Sequence, residues 1–244
     1  MAELRIILPD DVDRYLETVI RSGMFGNKAE LARAAIVHFL NSIGPISKGY
    51  DTDNFFSPDG RIFQVEYARE SASRGGSVMG MVCSDGVLLA SEDVKPRFGE
   101  PGALVVSPMK LFSLSENVIV GYSGLVADAM TVMDMLKARK FKDEDELLVA
   151  IREIYWSHTT KKDVRPLGVS LLVATDFGRP RLFEVDPSGS IVEFLATCIG
   201  QGRDSARDVL AKQYKRMTLK DAGKLIAKVW GEGKEYTVET IQAD

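Results

Sequence analysis

Cysteine and histidine, the residues that most often ligate zinc or act as a thiol nucleophile and its base, are few in this chain of 244 residues, and they lie far apart. There are two cysteines and two histidines, at Cys83, Cys198, His38 and His158. The cysteines form no CxxC pair and the histidines are distant from them, which favours neither a zinc site nor a structural disulfide. We expect no metal, no cofactor and a reducing, cytoplasmic compartment.

Charge and hydropathy exclude further classes of protein. The formal net charge of −4 argues against a chain that coats nucleic acid through its phosphates. No apolar run reaches the roughly 18 residues of a membrane span. Residues 1–11 lack the basic region and apolar core of a secretory signal, so we expect a protein without a membrane partner.

The stretch from Ser57 to Ala68 predicts a turn followed by a short helix. Ser57-Pro58-Asp59-Gly60 combines the residue types of a tight turn. The residues after it recur at spacings of three and four, which indicates a helix on a packed surface. They are Ile62, Phe63, Val65, Glu66 and Tyr67.

The first 45 residues predict a small separate module. Leu4, Ile6 and Leu8 alternate as in a short strand, and an apolar stripe from Val12 to Ile20 follows it. A capping box from Asn27 to Glu30 would begin a second helix that ends before Gly44-Pro45. One strand and two helices cannot bury a hydrophobic core alone. We therefore expect two copies of the module to pair through their strands.

The rest of the chain predicts mixed α and β structure, with a domain boundary in the run 44–57 and domains at 1–45 and 46–244. Strands are expected at 78–83, 87–91, 111–120 (a pair), 169–174, 181–185 and 191–197, and helices at 125–140, 143–158, 204–216 and 218–231. This order favours an α+β fold, and the pattern alone does not determine how its layers are stacked.

Five stretches resemble proteasome α-type subunits. They are SPDGRIFQVEYA (57–68), SGLVADA (123–129), VRPLGVSLL (164–172), RLFEVDPSG (181–189) and IGQGRDSA (199–206). The resemblance runs from Tyr50 to Trp230 and implies the four-layer αββα sandwich of N-terminal-nucleophile (Ntn) hydrolases. It also implies an archaeal-like ring subunit with a β-type proteolytic partner and a regulatory ATPase.

That resemblance places Gly76 where catalytic relatives carry their N-terminal threonine, Glu92 at the acid and Lys110 at the lysine. Glycine offers no nucleophile, so the chain is expected not to be an enzyme. Ser77 lies one residue later, which in a strand turns the side chain to the opposite face. Cleavage before Ser77 would still give a serine with a free amine, although Gln201 replaces the serine of catalytic relatives.

Two further sites follow from the resemblance. A pocket for the terminal carboxylate of an ATPase tail maps to Lys110, Gly75, Ile62 and Leu125. The gate of the axial pore maps to Tyr50, Asp51, Pro58 and Tyr67. Thr52 replaces an expected basic residue, which puts the closed gate in doubt.

Residues 3–41 resemble the ribbon-helix-helix repressors, which dimerise and insert a paired ribbon into the DNA major groove. The possible DNA-facing residues are Glu3, Arg5, Ile7, Asn27 and Lys28. Residues 1–45 carry five basic and six acidic residues, whereas a DNA-binding surface is positive. A module that only pairs subunits is therefore favoured over one that binds DNA.

The two resemblances conflict in symmetry, because two-fold pairing cannot satisfy seven modules in one ring. Two rings joined face to face, an even-numbered assembly, or modules without pairing would each resolve the conflict. The favoured interpretation is a divergent, non-catalytic α-type subunit that gates or assembles with a β-type partner. The alternatives are a DNA-binding regulator with a proteasome-like scaffold and a self-processed hydrolase with Ser77 as nucleophile.

Overall fold

The computed structural model describes residues 7–21, 25–42, 54–57, 60–92, 109–161, 163–231 and 234–243. The chain divides into two compact units, Met1–Gly49 and Tyr50–Asp244. None of the helices in the described ranges is long and apolar enough to cross a membrane.

The first unit contains helices α1 (Asp10–Arg21) and α2 (Lys28–Ser42). The Asn27 side chain caps α2 by accepting from the Glu30 N–H at 2.9 Å, and the Glu30 carboxylate accepts from the Gly26 N–H at 2.9 Å. The predicted cap is thus present, although Glu30 reaches the residue before Asn27. No residue of α1 is fully buried, although Leu16, Val19 and Ile20 of its apolar stripe are partly covered.

The strand predicted around Leu4–Leu8 lies mostly outside the described residues, which begin at Ile7. Ile7 and Leu8 themselves are not in a strand, and the side chain of Ile7 is 99% exposed. Because the predicted strand would pair with the same strand of a second copy, its formation stays a prediction.

The second unit contains helices α3 to α7 and strands β1 to β9. The helices are α3 (Phe63–Ser73), α4 (Val126–Lys137), α5 (Glu144–Thr159), α6 (Arg203–Gln213) and α7 (Leu219–Trp230). The strands are β1 (Val78–Cys83), β2 (Gly86–Glu92), β3 (Leu111–Ser115), β4 (Val118–Gly124), β5 (Val169–Asp176), β6 (Pro180–Val185), β7 (Ile191–Phe194), β8 (Ala196–Ile199) and β9 (Tyr236–Gln242).

Within the described residues the strands form two antiparallel sheets. One sheet has the order β8-β1-β2-β9 and the other β3-β4-β5-β6-β7. Residues from both, such as Leu89 and Leu172, share a buried cluster that lies between the sheets. The outer face of the larger sheet packs on α4 and α5, and that of the smaller sheet packs on α6 and α7. The four-layer α+β sandwich is therefore confirmed.

Two differences from the prediction lie at the sheet edges. The strand expected at 191–197 is interrupted at Leu195, so that β7 joins the larger sheet and β8 the smaller one. The prediction missed β9, an exposed edge strand that pairs with β2 along its whole length. An edge strand buries little apolar surface, so its sequence lacks the strong pattern of a core strand.

Helix α3 follows the predicted turn. The Gly60 N–H donates to the Ser57 carbonyl at 2.8 Å, and Gly60 has the positive φ of +80° that glycine adopts easily. The helix buries Phe63, Val65, Ala68 and Ala72. Tyr67 is 54% exposed, so its assignment to the packed face was wrong. The packed face of α3 instead includes Ala68 and Ala72, small residues that allow the helix to approach the sheet closely.

Candidate functional site

The residues at the degenerate catalytic positions lie together where β1 and β2 meet the start of β3. The Lys110 ammonium donates to the Gly76 carbonyl at 3.1 Å. The Glu92 N–H donates to the Ser77 carbonyl at 3.1 Å, which holds the end of β2 beside the residues before β1. The cluster has a lysine and a carboxylate around a residue that has no side chain.

Lys110 is held in a mostly desolvated position. Burial lowers the pKa of its ammonium, and the negative charge of Glu92 only partly opposes that effect. The ammonium also lies 5.4 Å from the centre of the Tyr122 ring, within range of a cation–π contact. Lys110 therefore contacts the Gly76 carbonyl and the Tyr122 ring of the protein itself.

Ser77 faces Glu92, which corrects the expectation that its side chain would point away. It lies just before β1 begins at Val78, so the strict alternation of a strand does not apply to it. Its hydroxyl donates to the Gln201 carbonyl at 2.6 Å and lies 3.4 Å from a Glu92 carboxylate oxygen. The side chain is 3% exposed, and Glu92 forms an ion pair with Lys234.

These contacts leave Ser77 poorly prepared as a nucleophile. Its proton is directed at a carbonyl, and the nearest carboxylate is neutralised by Lys234. Its amine is part of the peptide bond to Gly76, whereas an Ntn nucleophile uses its own free amine as base.

The residues mapped to the tail pocket divide between three places. Gly75 and Leu125 line one groove of about 470 Å³ on the Tyr67 side of α3, which we call the α3 groove. Ile62 lines a second hollow, with Phe55 and Phe56. Lys110 does not line the α3 groove, because it belongs to the cluster around Gly76.

Beside the α3 groove, the backbones at Gly75 and Gly124 lie in close contact. A Cβ atom on Gly75 would lie 2.1 Å from the Gly124 nitrogen and 2.5 Å from the Ser123 hydroxyl oxygen. The Ser123 hydroxyl also donates to the Ala72 carbonyl at 2.9 Å, which joins β4 to α3. Gly75 is thus required by the close approach of two backbones, a reason independent of any ligand.

Of the mapped gate residues, Tyr50, Asp51 and Pro58 lie outside the described residues. Tyr67 lines the α3 groove with Gly75 and Leu125. Tyr67, which was expected at the gate, therefore shares a surface with Gly75 and Leu125, which were expected in the tail pocket.

The mapped DNA-facing residues are also divided. Glu3 and Arg5 lie outside the described residues. Asn27 is engaged as the cap of α2. The Lys28 ammonium lies 2.7 Å from Asp13 and 3.2 Å from Glu17, and hydrogen bonds to these carboxylates raise its pKa. Both side chains are committed within their own unit, which argues against a role at phosphates.

Three polar contacts were missed by the sequence reasoning. The Asp128 carboxylate accepts hydrogen bonds from both terminal guanidinium nitrogens of Arg165, each at 2.7 Å, and from the Gly168 N–H at 2.7 Å. These residues lie in two of the five motif stretches. The motifs therefore pointed to these positions, but the role of the residues there is to stabilise the fold. No sequence pattern pointed to Asn54 or Lys234, because the partners of both residues are far away in the sequence.

The described residues include no group of three or more histidine, cysteine, aspartate or glutamate side chains that could hold a metal ion. Burial raises the pKa of both Cys83 and Cys198 to about 12, so neither thiol ionises readily near neutral pH. The chemistry available to the site is therefore limited to hydroxyl, carboxylate and ammonium groups.

The fold is an Ntn-type α+β sandwich, with a glycine at the position to which the resemblance maps the nucleophile. Comparison with known proteins agrees with this class. The model of the family described as "Proteasome subunit" matches residues 72–240, and the model of the N-terminal signature of A-type proteasome subunits matches residues 50–70.

Archaeal proteins named as the alpha subunit of the proteasome are similar over most of their length. That of Thermococcus sibiricus is 37% identical over 211 residues, 80% of either chain. That of Methanocaldococcus jannaschii is 40% identical over 178 residues, 69% of this chain and 67% of its own. That of Methanopyrus kandleri is 35% identical over 216 residues, 82% of this chain and 86% of its own. The chain belongs to the proteasome subunit family. Since the family matches begin at residue 50, the ribbon-helix-helix resemblance stays a prediction.

Proposed function

We propose that this protein is a non-catalytic α-type subunit that forms an oligomeric ring or platform and gates access to a proteolytic β-type partner. The observation that carries the proposal is the glycine at the nucleophile position, with Lys110 bound to its carbonyl. The N-terminal signature and the names of the relatives support the α type rather than the β type.

Exposed apolar surface on both flanks of α3 supports assembly with other chains. Phe55 and Phe56 line the hollow on one flank, and Phe56 is 71% exposed. Tyr67 and Leu125 line the α3 groove on the other flank. Apolar patches of this kind usually mark interaction surfaces. Two dissimilar patches suit head-to-tail contacts, which can close into a ring.

The N-terminal unit is proposed to pair copies of the chain. On α1 the side chains of Val12 and Tyr15 are exposed, and a second copy offers the same exposed apolar surface in return. A two-fold contact of this kind is self-complementary. Pairing, rather than DNA binding, is favoured because Lys28 and Asn27 are engaged internally.

A reconstitution experiment tests the proposed function. The chain is expressed alone and together with a β-type subunit from the same organism, and hydrolysis of a fluorogenic peptide is measured. We expect no hydrolysis by the chain alone, and co-elution with hydrolysis for the pair. Hydrolysis by the chain alone that is lost in Ser77→Ala would contradict the proposal.

One observation favours self-processing as a second candidate. The Lys110 ammonium lies on the carbonyl oxygen of the Gly76–Ser77 peptide bond, where it would stabilise an oxyanion. Attack by the Ser77 hydroxyl on the Gly76 carbonyl carbon would form an ester, break the Gly76–Ser77 amide bond and free the amine of Ser77. Water would then hydrolyse the ester and release the segment that ends with the Gly76 carboxylate. The hydrogen bond from Ser77 to Gln201 opposes this, because the proton points away from Glu92.

A further inference from the structure

The outer helix layer that contains α6 and α7 is strongly basic. Residues 203–230, which include both helices, carry eight basic and three acidic side chains, a balance of +5 in a chain whose net charge is −4. Residues 126–159, which include α4 and α5, carry five basic and seven acidic side chains, a balance of −2. The two outer layers of the sandwich therefore differ in the sign of their charge.

Three lysines on α7 lie along one face of the helix. Lys220, Lys224 and Lys228 are four residues apart, so successive side chains are separated by about 6 Å along the helix axis. All three are exposed, on the face opposite Ala222 and Ile226, which are buried against the smaller sheet. We call these three lysines the lysine ladder. Further exposed basic side chains lie at the end of α6 and in the turn after it, at Lys212, Lys215 and Arg216.

The charge of the lysine ladder is only partly balanced. The Lys224 ammonium lies 2.8 Å from the Asp221 carboxylate, but both side chains are more than half exposed, so the pair is weak. The Lys228 ammonium donates to the neutral side-chain carbonyl of Gln213 at 2.9 Å. Among the described residues, Asp221 is the one acid that forms an ion pair with the ladder. An incoming anion therefore meets little competition on this face.

We propose that the lysine ladder binds an acidic segment of a partner protein, whose carboxylates are spaced about one helix turn apart. Two lysines four residues apart match two carboxylates at the same spacing, and the basic layer attracts such a segment from solution. The proposal goes beyond ring formation and does not depend on the number of copies in the assembly.

A protein segment suits this face better than a nucleic acid does. Single-stranded nucleic acids are usually held by exposed aromatic side chains on which the bases stack. The aromatic residues among 203–230 are engaged within the fold, because the Tyr214 hydroxyl donates to the Val82 carbonyl at 2.8 Å and Trp230 packs on Tyr236. A long nucleic acid would also extend beyond the basic layer onto the rest of a chain that is negative overall.

Fluorescence anisotropy with the purified full-length assembly tests the proposal. The probe is a labelled peptide of four Glu-Ala-Ala-Ala repeats, which carries a carboxylate at each helix turn. We expect the triple variant Lys220→Gln, Lys224→Gln and Lys228→Gln to raise the Kd about tenfold, because it removes three exposed ion pairs. The Kd of the wild-type assembly should also rise with salt, since exposed charges are screened.

The matched control removes three exposed charges from the opposite helix layer, in the triple variant Lys140→Gln, Lys142→Gln and Arg152→Gln. We expect it to change the Kd less than about twofold, because these charges lie far from the ladder. Asp221→Asn, which frees Lys224, should lower the Kd, and this result does not depend on the stability of the triple variants. Thermal unfolding confirms that each variant is folded.

Four outcomes would overturn the proposal. The wild-type assembly could fail to bind the peptide at low salt, or the control variant could lose as much affinity as the ladder variant. Tighter binding of an oligothymidylate that displaces the peptide would assign the face to nucleic acid. Self-association of the assembly at low salt without peptide, abolished in the ladder variant, would assign it to a second copy of the chain.

Discussion

At the scale of single residues, the contact between Asp128 and Arg165 shows what the motif stretches contribute. Asp128 lies in the first turn of α4 and Arg165 precedes β5, so the bidentate ion pair between them fixes the loop that leads into the central strand. The 7% exposure of Asp128 and its three hydrogen bonds make it a stabilising residue rather than a catalytic one.

We expect Asp128→Asn to lower the free energy of unfolding by about 1–3 kcal/mol, because Arg165 loses a charged partner. Burial alone would raise the pKa of Asp128, but hydrogen bonds from Arg165 and Gly168 outweigh it and hold the pKa below the ordinary 3.8. The contribution is therefore present above pH 3.8 and lost as the pH falls through the lower, folded-state pKa. Urea unfolding of both proteins at pH 7 and pH 3 measures the difference.

A matched control is Lys142→Gln, which removes an exposed pair with Glu146. We expect it to change the free energy of unfolding by less than about 0.5 kcal/mol at either pH. A difference between wild type and Asp128→Asn that grew as the pH fell would show that the Asp128 carboxylate is not stabilised by the fold.

The cluster around Gly76 could be predicted only in part. The resemblance placed Gly76, Glu92 and Lys110 at related positions, and the structure brings them together. The pairing of Glu92 with Lys234 could not be predicted, because 142 positions separate the two residues and only the pairing of β2 with β9 brings them close. The orientation of Lys110 depends on burial and on the Tyr122 ring, which sequence spacing does not show.

At the scale of elements, the end of α5 depends on a side chain from another part of the chain. The Asn54 amide nitrogen donates to the carbonyls of His158, Lys161 and Val164 at 3.1, 3.2 and 2.8 Å. These carbonyls belong to the last turn of α5 and the loop after it, where a helix leaves acceptors unpaired. Asn54 thus joins the segment before α3 to the end of α5.

We expect Asn54→Asp to destabilise this loop more than Asn54→Ala does, because a carboxylate would face three carbonyl oxygens, whereas alanine only leaves them without a donor. The measurement is hydrogen exchange and limited proteolysis at residues 158–164, with faster exchange and cleavage expected in the order wild type, Ala, Asp. The free energy of unfolding should fall by about 1–3 kcal/mol for Ala.

Asn117→Asp controls for the added charge, because it makes the same substitution in the β3–β4 turn. We expect it to leave exchange at 158–164 unchanged. Equal exchange in Asn54→Ala and Asn54→Asp would indicate that the amide group does not hold the loop.

The elements themselves could largely be predicted from the pattern of apolar residues. Helix α5 begins at Glu144 after the cap Asp143, whose side chain accepts from the Glu146 N–H at 2.9 Å, close to the expected start. The pattern was insufficient where burial is low, as in β9, and where a strand changes sheets, as between β7 and β8. In both places tertiary pairing decides the structure, and local propensity does not.

At the scale of the whole molecule, the order of layers could not be derived from the pattern of elements alone, which supports only mixed α and β structure. The resemblance supplied the layering, and the three buried clusters confirm it. The assembly that we propose would use contacts between copies on the flanks of α3 and on the exposed side chains of α1. Their competing symmetries leave the number of copies as the property that most needs measurement.

The central claim is that the protein is an intact ring-forming subunit without an active centre of its own. Native mass spectrometry of the assembly, with the denatured chain mass from the same sample, tests it most directly. We predict seven or fourteen full-length chains of 26.9 kDa each. A dimer, tetramer or hexamer would mean that the N-terminal unit determines the assembly, and a chain that begins at Ser77 would show self-processing; either result would contradict the claim.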